Sequence, residues 1–361
     1  MQTRLPQLDG IRGVAILLVV FHNQSGMYPS LHLGNIFANG WMGVDLFFVL
    51  SGFLITGMLL DTKDSHSYFK NFYVRRCLRI WPLYYSLIFF MFAIVPALHS
   101  SMARTVFEKS SPWWAYPLFL QNLVIPIPTN AAGPLAVTWS LAIEEQFYLV
   151  WPWVVRFSTP KQLRRIAISI ICLSPLLRLF LASYGVNLYS NTFCRLDGLM
   201  LGALIAILVR SADFVPRRFI RAAWTVLLVA LPLAFVTESM NERWIVFSFS
   251  AMASASLVFL SLYSEQGWLR GALTNRFIVY TGTISYGLYL LHKLPFDFVK
   301  SFHIDWPPLL IAPILLAACF GVAALSWSVL EKPFLRLKRS FEPESRAHQT
   351  EAQLVIAGPV R

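Results

Sequence analysis

The chain reads as an all-α polytopic membrane protein of about ten transmembrane helices. Three observations predict that class: an apolar composition, apolar runs that recur at membrane length, and polar joints that alternate between rich and poor in cations. Hydrophobic residues make up 57% of the 361 and charged residues 13%, with a mean hydropathy of +0.58, against roughly 45–50% and 25% in soluble domains. No stretch between the runs is long and apolar enough to bury a separate soluble core. One membrane domain over residues 1–340 is therefore expected, with residues 341–361 a polar, disordered cytoplasmic tail.

In chain order the expected spans are 11–28, 41–60, 80–98, 138–156, 166–183, 193–209, 222–237, 244–263, 277–299 and 308–331. The first run follows Arg4 and Arg12 as a secretory leader would. Asn23, Gln24 and Ser25 offer no small-residue cleavage pattern, however, so the run is kept as a membrane helix. Residues 113–127 are apolar but short and interrupted by Pro117 and Pro126, which predicts a re-entrant or interfacial helix. With that segment excluded, one set of alternate joints, together with the two ends, holds 22 of the 30 cations. The opposite set holds only Arg104, Lys109, Arg243 and Lys300. The bias places both termini on the cytoplasmic side of the cell membrane. It also accounts for the net charge of +12 without a nucleic-acid partner. The four cysteines, Cys77, Cys172, Cys194 and Cys319, form no CxxC pair and no cluster with histidine, so neither a disulfide framework nor a metal site is expected.

The remaining cations, Arg12, Arg178, Arg195 and Lys293, lie in or at the edge of spans, where an ionisable group costs roughly 2.5–3.5 kcal/mol and marks a task or a partner. Arg12 and His22 bracket the first run. Ten helical steps separate them by about 15 Å, which places His22 near the middle of the expected span. A histidine there is either a packing residue hydrogen-bonded to a neighbouring helix or a proton-transfer group suited to neutral pH. Arg75, Arg76 and Arg79 stand at the expected cytoplasmic mouth of the third span, either as a topological anchor or as guanidinium forks for phosphate. Glu144 and Glu145 fall in the outer half of the fourth span, to be paired with Arg195 or Lys293 or to face a polar cavity. Asp45 and His292 enlarge the same outer polar region. Cations on one side, carboxylates and His292 on the other and His22 between suit a reaction whose two substrates arrive from opposite faces.

Five motifs in order make the chain similar to the acyltransferase-3 family of integral membrane O-acyltransferases over residues 5 to about 335. They are Leu8 to Gly13 leading to His22, Gly43 to Ile55, Arg75 to Pro82, Thr138 to Pro152, and Ser285 to His292. The resemblance implies an acyl-coenzyme A donor, usually acetyl-CoA, no metal, and a hydroxyl acceptor on a surface or lipid-linked glycan. His22 matches the family's essential histidine, Arg12 the cation before it, the three arginines the donor motif, and Glu144 the acidic residue of the Trp-Ser-Leu motif.

The expected reaction is direct acyl transfer, with His22 as general base and Glu144, together with Asp45, orienting the acceptor or balancing developing charge as a catalytic residue. Arg75, Arg76 and Arg79 would hold coenzyme A, with Arg12, Asp45 and His292 lining the substrate site. The family usually places ten residues between the cation and the histidine; here there are nine, and Asn23 occupies the usual site. On an ideal helix the shorter spacing turns the two about 80° apart instead of about 20°. No fused esterase-like domain is expected after residue 341, and a homo-oligomer is compatible with the pattern. The rival reading is a proton-coupled transporter, since intramembrane charges and a mid-span histidine also serve solute movement.

Overall fold

The computed structural model describes residues 5–25, 37–98, 110–124, 133–263, 267–301 and 307–341, and all their regular structure is helical. The expected tail at 342–361 lies outside the described residues. Helix α1 spans Pro6–Ser25. After a tight turn at Ala38–Met42 comes α2, Gly43–Asp61. Helix α3, Tyr68–Phe89, runs on through a π turn at Phe90–Ile94. Then come α4 at Thr138–Phe157, α5 at Pro160–Ala182, α6 at Leu196–Leu208, α7 at Pro216–Ser239 and α8 at Arg243–Tyr263. The ninth expected span is broken into α9, Arg276–Thr283, α10, Ser285–Leu291, and α11, Lys293–Ser301. Helix α12, Pro308–Ser326, is followed by a second π turn, Trp327–Glu331, and a last short helix to Leu337.

Helices occupy each of the ten expected spans. Among the described residues, six helices are long and apolar enough to cross a membrane by length and composition: α2, α3, α5, α7, α8 and the one that begins with α12. The protein is thus an all-helical, polytopic membrane protein. Two expectations change. The helix that carries the third span begins at Tyr68, twelve residues before the expected start of the span at 80, and Tyr68, Phe72 and Arg75 bury one face of it. Arg75, Arg76 and Arg79 therefore lie two to three turns inside α3 instead of in a joint at its mouth. Within 113–127, Trp113–Ala115 and Gln121–Val124 are single turns, and 125–127 lie outside the described residues.

In hydrocarbon there is little hydrophobic force between helices, so close backbone approach and polar contacts hold the bundle. Helices α2 and α6 meet through glycines. A Cβ on Gly52 would fall 1.9 Å from the Leu199 carbonyl oxygen, and one on Gly202 would fall 2.0 Å from that of Val49. Helices α5 and α7 form the rim, with Leu173, Leu176 and Phe180 and with Leu228, Val229 and Val236 exposed, an apolar coat suited to lipid. The largest fully buried side chains are two arginines, Arg178 and Arg195.

Candidate functional site

Helices α3 and α4 run antiparallel, and three hydrogen bonds fix their register. Tyr68 Oη donates to Pro152 O (3.0 Å), Tyr73 Oη to Leu149 O (2.9 Å) and Trp81 Nε1 to Glu145 Oε2 (3.4 Å). That register brings Arg76 and Arg79 opposite Glu144, Glu145 and Tyr148. The Arg76 guanidinium stands 5.6 Å from the centroid of the Tyr148 ring and 6.0 Å from that of Phe72. Helix α2 adds Ser51, whose hydroxyl hydrogen-bonds Tyr148, and Glu144 sits beside both, in the field of Arg76 and Arg79. From α1, Arg12 reaches the same region, in the field of Arg79 and Tyr148, while its Nη1 pairs with Asp9 Oδ1 one turn earlier (2.9 Å). The last span contributes Glu331, in the field of Arg79 and Tyr286.

Four helices and the final π turn thus converge on one polar cluster, in which Arg76 and Arg79 are incompletely engaged. Among the described residues neither Arg76 nor Arg79 has a carboxylate oxygen within 4 Å. Arg76 Nε and Glu145 Oε1 are buried without a hydrogen-bond partner. Buried polar atoms are ordinarily satisfied, so such a cluster is suited to an anionic ligand that completes it. On the outer side of α3 a groove of about 500 Å³, lined by Cys77, Trp81, Tyr85, Phe89 and Phe334 among others, touches the cluster through Trp81.

His22 occupies the last described turn of α1, away from this cluster. Its Nδ1 lies 3.1 Å from the Phe37 carbonyl oxygen. A carbonyl can only accept, so this contact places a proton on Nδ1, and in the neutral ring the basic lone pair is then on Nε2. Gly40 packs on the same ring stem: a Cβ there would lie 2.8 Å from His22 Cβ. Asn23, by contrast, folds its amide back to its own helix, donating to Val19 O at 2.9 Å. The α1 helix is α-helical throughout its described length, so no widened turn brings Arg12 and His22 into line. About 15 Å of helix separates them.

The other expected site residues fall elsewhere. Asp45 is 2% exposed and pairs with Arg195 Nη2 at 2.6 Å, which leaves Glu144 and Glu145 to α3. Five rings surround that guanidinium, from Phe247 at 4.1 Å to Trp41 at 6.0 Å. Arg178 pairs with Asp197 (2.9 Å) and donates to Trp244 O (2.7 Å) and Cys194 O (2.6 Å). His292 is fully buried in the break between α10 and α11, its Nδ1 donating to Tyr289 O at 2.7 Å. The adjoining Lys293 lies in the field of both His22 and His292, so the two histidines share one end of the bundle. Among the described residues no group of three or more His, Cys, Asp and Glu is placed to hold a metal.

Ser51, Tyr148, Tyr286 and Glu331 are the members of the arginine cluster that sequence reasoning gave no role. Three of them stand inside quoted motifs. Glu331 had a signal too, as a carboxylate closing an otherwise apolar span.

Comparison with known proteins gives this geometry a context. A family model described as an acyltransferase domain matches residues 5–330. The peptidoglycan O-acetyltransferase OatA of Listeria monocytogenes serovar 1/2a is 29% identical over 359 residues, which cover 91% of this chain and 55% of that protein. A Staphylococcus aureus (strain COL) protein named "Putative O-acetyltransferase" is 28% identical over 361 residues, 91% of this chain and 57% of that protein. The chain therefore spans little more than half the length of these curated relatives. No solved structure matches it.

Proposed function

The chain belongs to the acyltransferase-3 family, and from that premise we propose that it is a membrane O-acyltransferase. It moves an acyl group, acetyl in the first instance, from coenzyme A to a hydroxyl of a cell-wall or lipid-linked glycan. The observation that carries this reading is the division of labour along α1. An open arginine cluster stands at one end, and a histidine whose tautomer is set by a backbone carbonyl stands at the other. Arg75, Arg76 and Arg79 take the donor's phosphates from the cytoplasmic side, as charge-assisted forks do. The thioester extends along α1 toward His22. The acceptor hydroxyl gives its proton to His22 Nε2 as its oxygen bonds to the acyl carbon. The carbon–sulfur bond then breaks, and the proton passes to the departing thiolate.

Glu144, set among the arginines, acts in this reading as their counter-charge and not at the acceptor. Asp45 holds Arg195, and Lys293 and His292 shape the acceptor end. The glycan acceptor class rests on the relatives' printed activities. The cytoplasmic side of the arginines, with both termini, rests on the loop charges.

The test is surface-glycan O-acetylation, measured by mass spectrometry in a deletion strain complemented with wild type or with His22→Ala, alongside coenzyme A binding by the purified proteins. We expect His22→Ala to abolish acetylation, a loss of about 10²–10⁴ in rate, while the dissociation constant for coenzyme A stays within twofold of wild type. Acetylation within a few-fold of wild type in the mutant would falsify the reading.

A further inference from the structure

Glu331 is the one cluster member that arrives from the end of the last span, and the backbone is bent to deliver it. An apolar helix, α12, changes to a π turn over Trp327–Glu331, and the widened turn brings a carboxylate inward that a regular helix would place elsewhere; such single turns recur at functional sites. Glu331 is 5% exposed. Its Oε1 accepts from Ser326 Oγ at 3.1 Å, and it lies so close over Gly287 that a Cβ there would stand 2.8 Å from the same oxygen. The neighbouring Tyr286 donates its hydroxyl to the carbonyl of Ile80 at 2.7 Å, next to Arg79 on α3. Helix α10 therefore ties the Glu331 turn to the Arg79 turn, and the π turn itself packs against α3. Arg79 has no carboxylate within 4 Å among the described residues, so Glu331 does not consume its donors.

We infer that Glu331 is a positioning residue of the donor site: held by Ser326 and seated on Gly287, it keeps Arg79 extended toward the coenzyme A phosphates without pairing with it. The inference rests on the donor reading above. An arginine side chain loses rotamer freedom when it is fixed, and a counter-charge held behind it reduces what must be lost when phosphate binds. A carboxylate in contact with the phosphate would act in the opposite sense and repel the ligand. The sign of the experiment decides between them.

The experiment measures coenzyme A binding by purified full-length protein for wild type, Glu331→Gln, Glu331→Asp, Ser326→Ala, Arg79→Ala and the double variant Arg79→Ala/Glu331→Gln. Glutamine keeps the shape and can still accept from Ser326, so a purely structural role would survive it. We expect Glu331→Gln to weaken coenzyme A binding about tenfold at unchanged melting temperature, with Glu331→Asp recovering part of the loss because charge is retained. The double variant should bind no more weakly than Arg79→Ala alone. Unchanged or tighter binding by Glu331→Gln, while Arg79→Ala weakens it, overturns the inference and leaves the donor site standing, as do additive losses in the double variant. Should Glu331→Gln not fold, Ser326→Ala decides: about threefold weaker binding supports the inference and wild-type binding overturns it. Wild-type binding by Arg79→Ala would overturn the donor reading itself.

Discussion

Two groups of arginines stand in one bundle and are finished in different ways. Arg178 and Arg195 are paired, each with an aspartate at 2.9 and 2.6 Å, the first with two carbonyls besides and the second with a wall of aromatic rings, against which its Nε and Nη1 make no hydrogen bond. Arg76 and Arg79 stand among three glutamates, and none of them is within 4 Å. The contrast separates glue from site. A buried pair at contact distance joins helices and has its charge already compensated. Guanidiniums held near carboxylates but short of pairing retain their forks for a phosphate.

The sharpest way to break this comparison is to remove one half of such a pair. Asp45→Ala leaves the Arg195 charge buried and uncompensated, and we expect a loss of about 3–5 kcal/mol. It would be seen as a collapse in the yield and melting temperature of the detergent-purified protein. Replacing both partners by apolar side chains, Asp45→Leu with Arg195→Met, should recover most of that stability, since well-packed apolar residues often substitute for a buried pair at little cost. If Asp45→Ala folds normally and loses only acetylation, the pair belongs to the substrate site and the division drawn here is wrong.

The open group should behave in the opposite way. Arg76→Ala and Arg79→Ala should each weaken coenzyme A binding by about 1.5–3 kcal/mol, a factor of roughly 10–100. Melting temperatures should fall by no more than a few degrees. Titration calorimetry with coenzyme A reads the first and differential scanning fluorimetry the second. A large loss of stability with unchanged binding would move these arginines into the paired class. The side of the membrane on which they stand is checked separately. In whole cells an impermeant thiol reagent should label cysteines placed at Tyr184 and Glu238 and spare those at Arg165 and Arg217; the reverse pattern would put the arginine cluster on the outer face.

How far these two groups could be read from the sequence follows from the range of the interactions. Helix existence was legible because apolar length is a local property, and the arginine and Trp-Ser-Leu motifs were legible because they are contiguous. Pairings across the fold were not. Asp45 and Arg195 are 150 positions apart, and on hydropathy alone Glu144 was as good a partner for that arginine. Only the antiparallel register of α3 and α4, set by Tyr68, Tyr73 and Trp81, assigns the glutamates to Arg76 and Arg79. The start of α3 was misplaced by the same limitation. Polar residues from Lys70 to Arg79 read as a joint, because the packing of Phe72 on Tyr148 of α4 is invisible until the partner helix is in place. Glu331 was hidden by its neighbour Lys332, which made the end of the last span look like the start of a basic tail.

The smallest expected effect is also the one that tests residue type against spacing. The family's usual spacing from the cation points to Asn23, whereas side-chain chemistry points to His22, and the two are adjacent on α1. The Asn23 amide donates to Val19 O, four residues back on its own helix. In the sense of the comparison above it is closed: among the described residues it joins nothing but its own turn. A bond of that kind on a helix already hydrogen-bonded along its backbone adds little, and its removal falls within about 0.5 kcal/mol, or about twofold in rate, of no effect at all. Asn23→Ala should therefore leave surface-glycan acetylation within about twofold of wild type, measured beside His22→Ala at matched protein levels. Were Asn23→Ala to lose activity as deeply as His22→Ala, spacing and not residue type would mark the position that matters, and the tautomer set by the Phe37 carbonyl would no longer be sufficient reason to assign the base to His22.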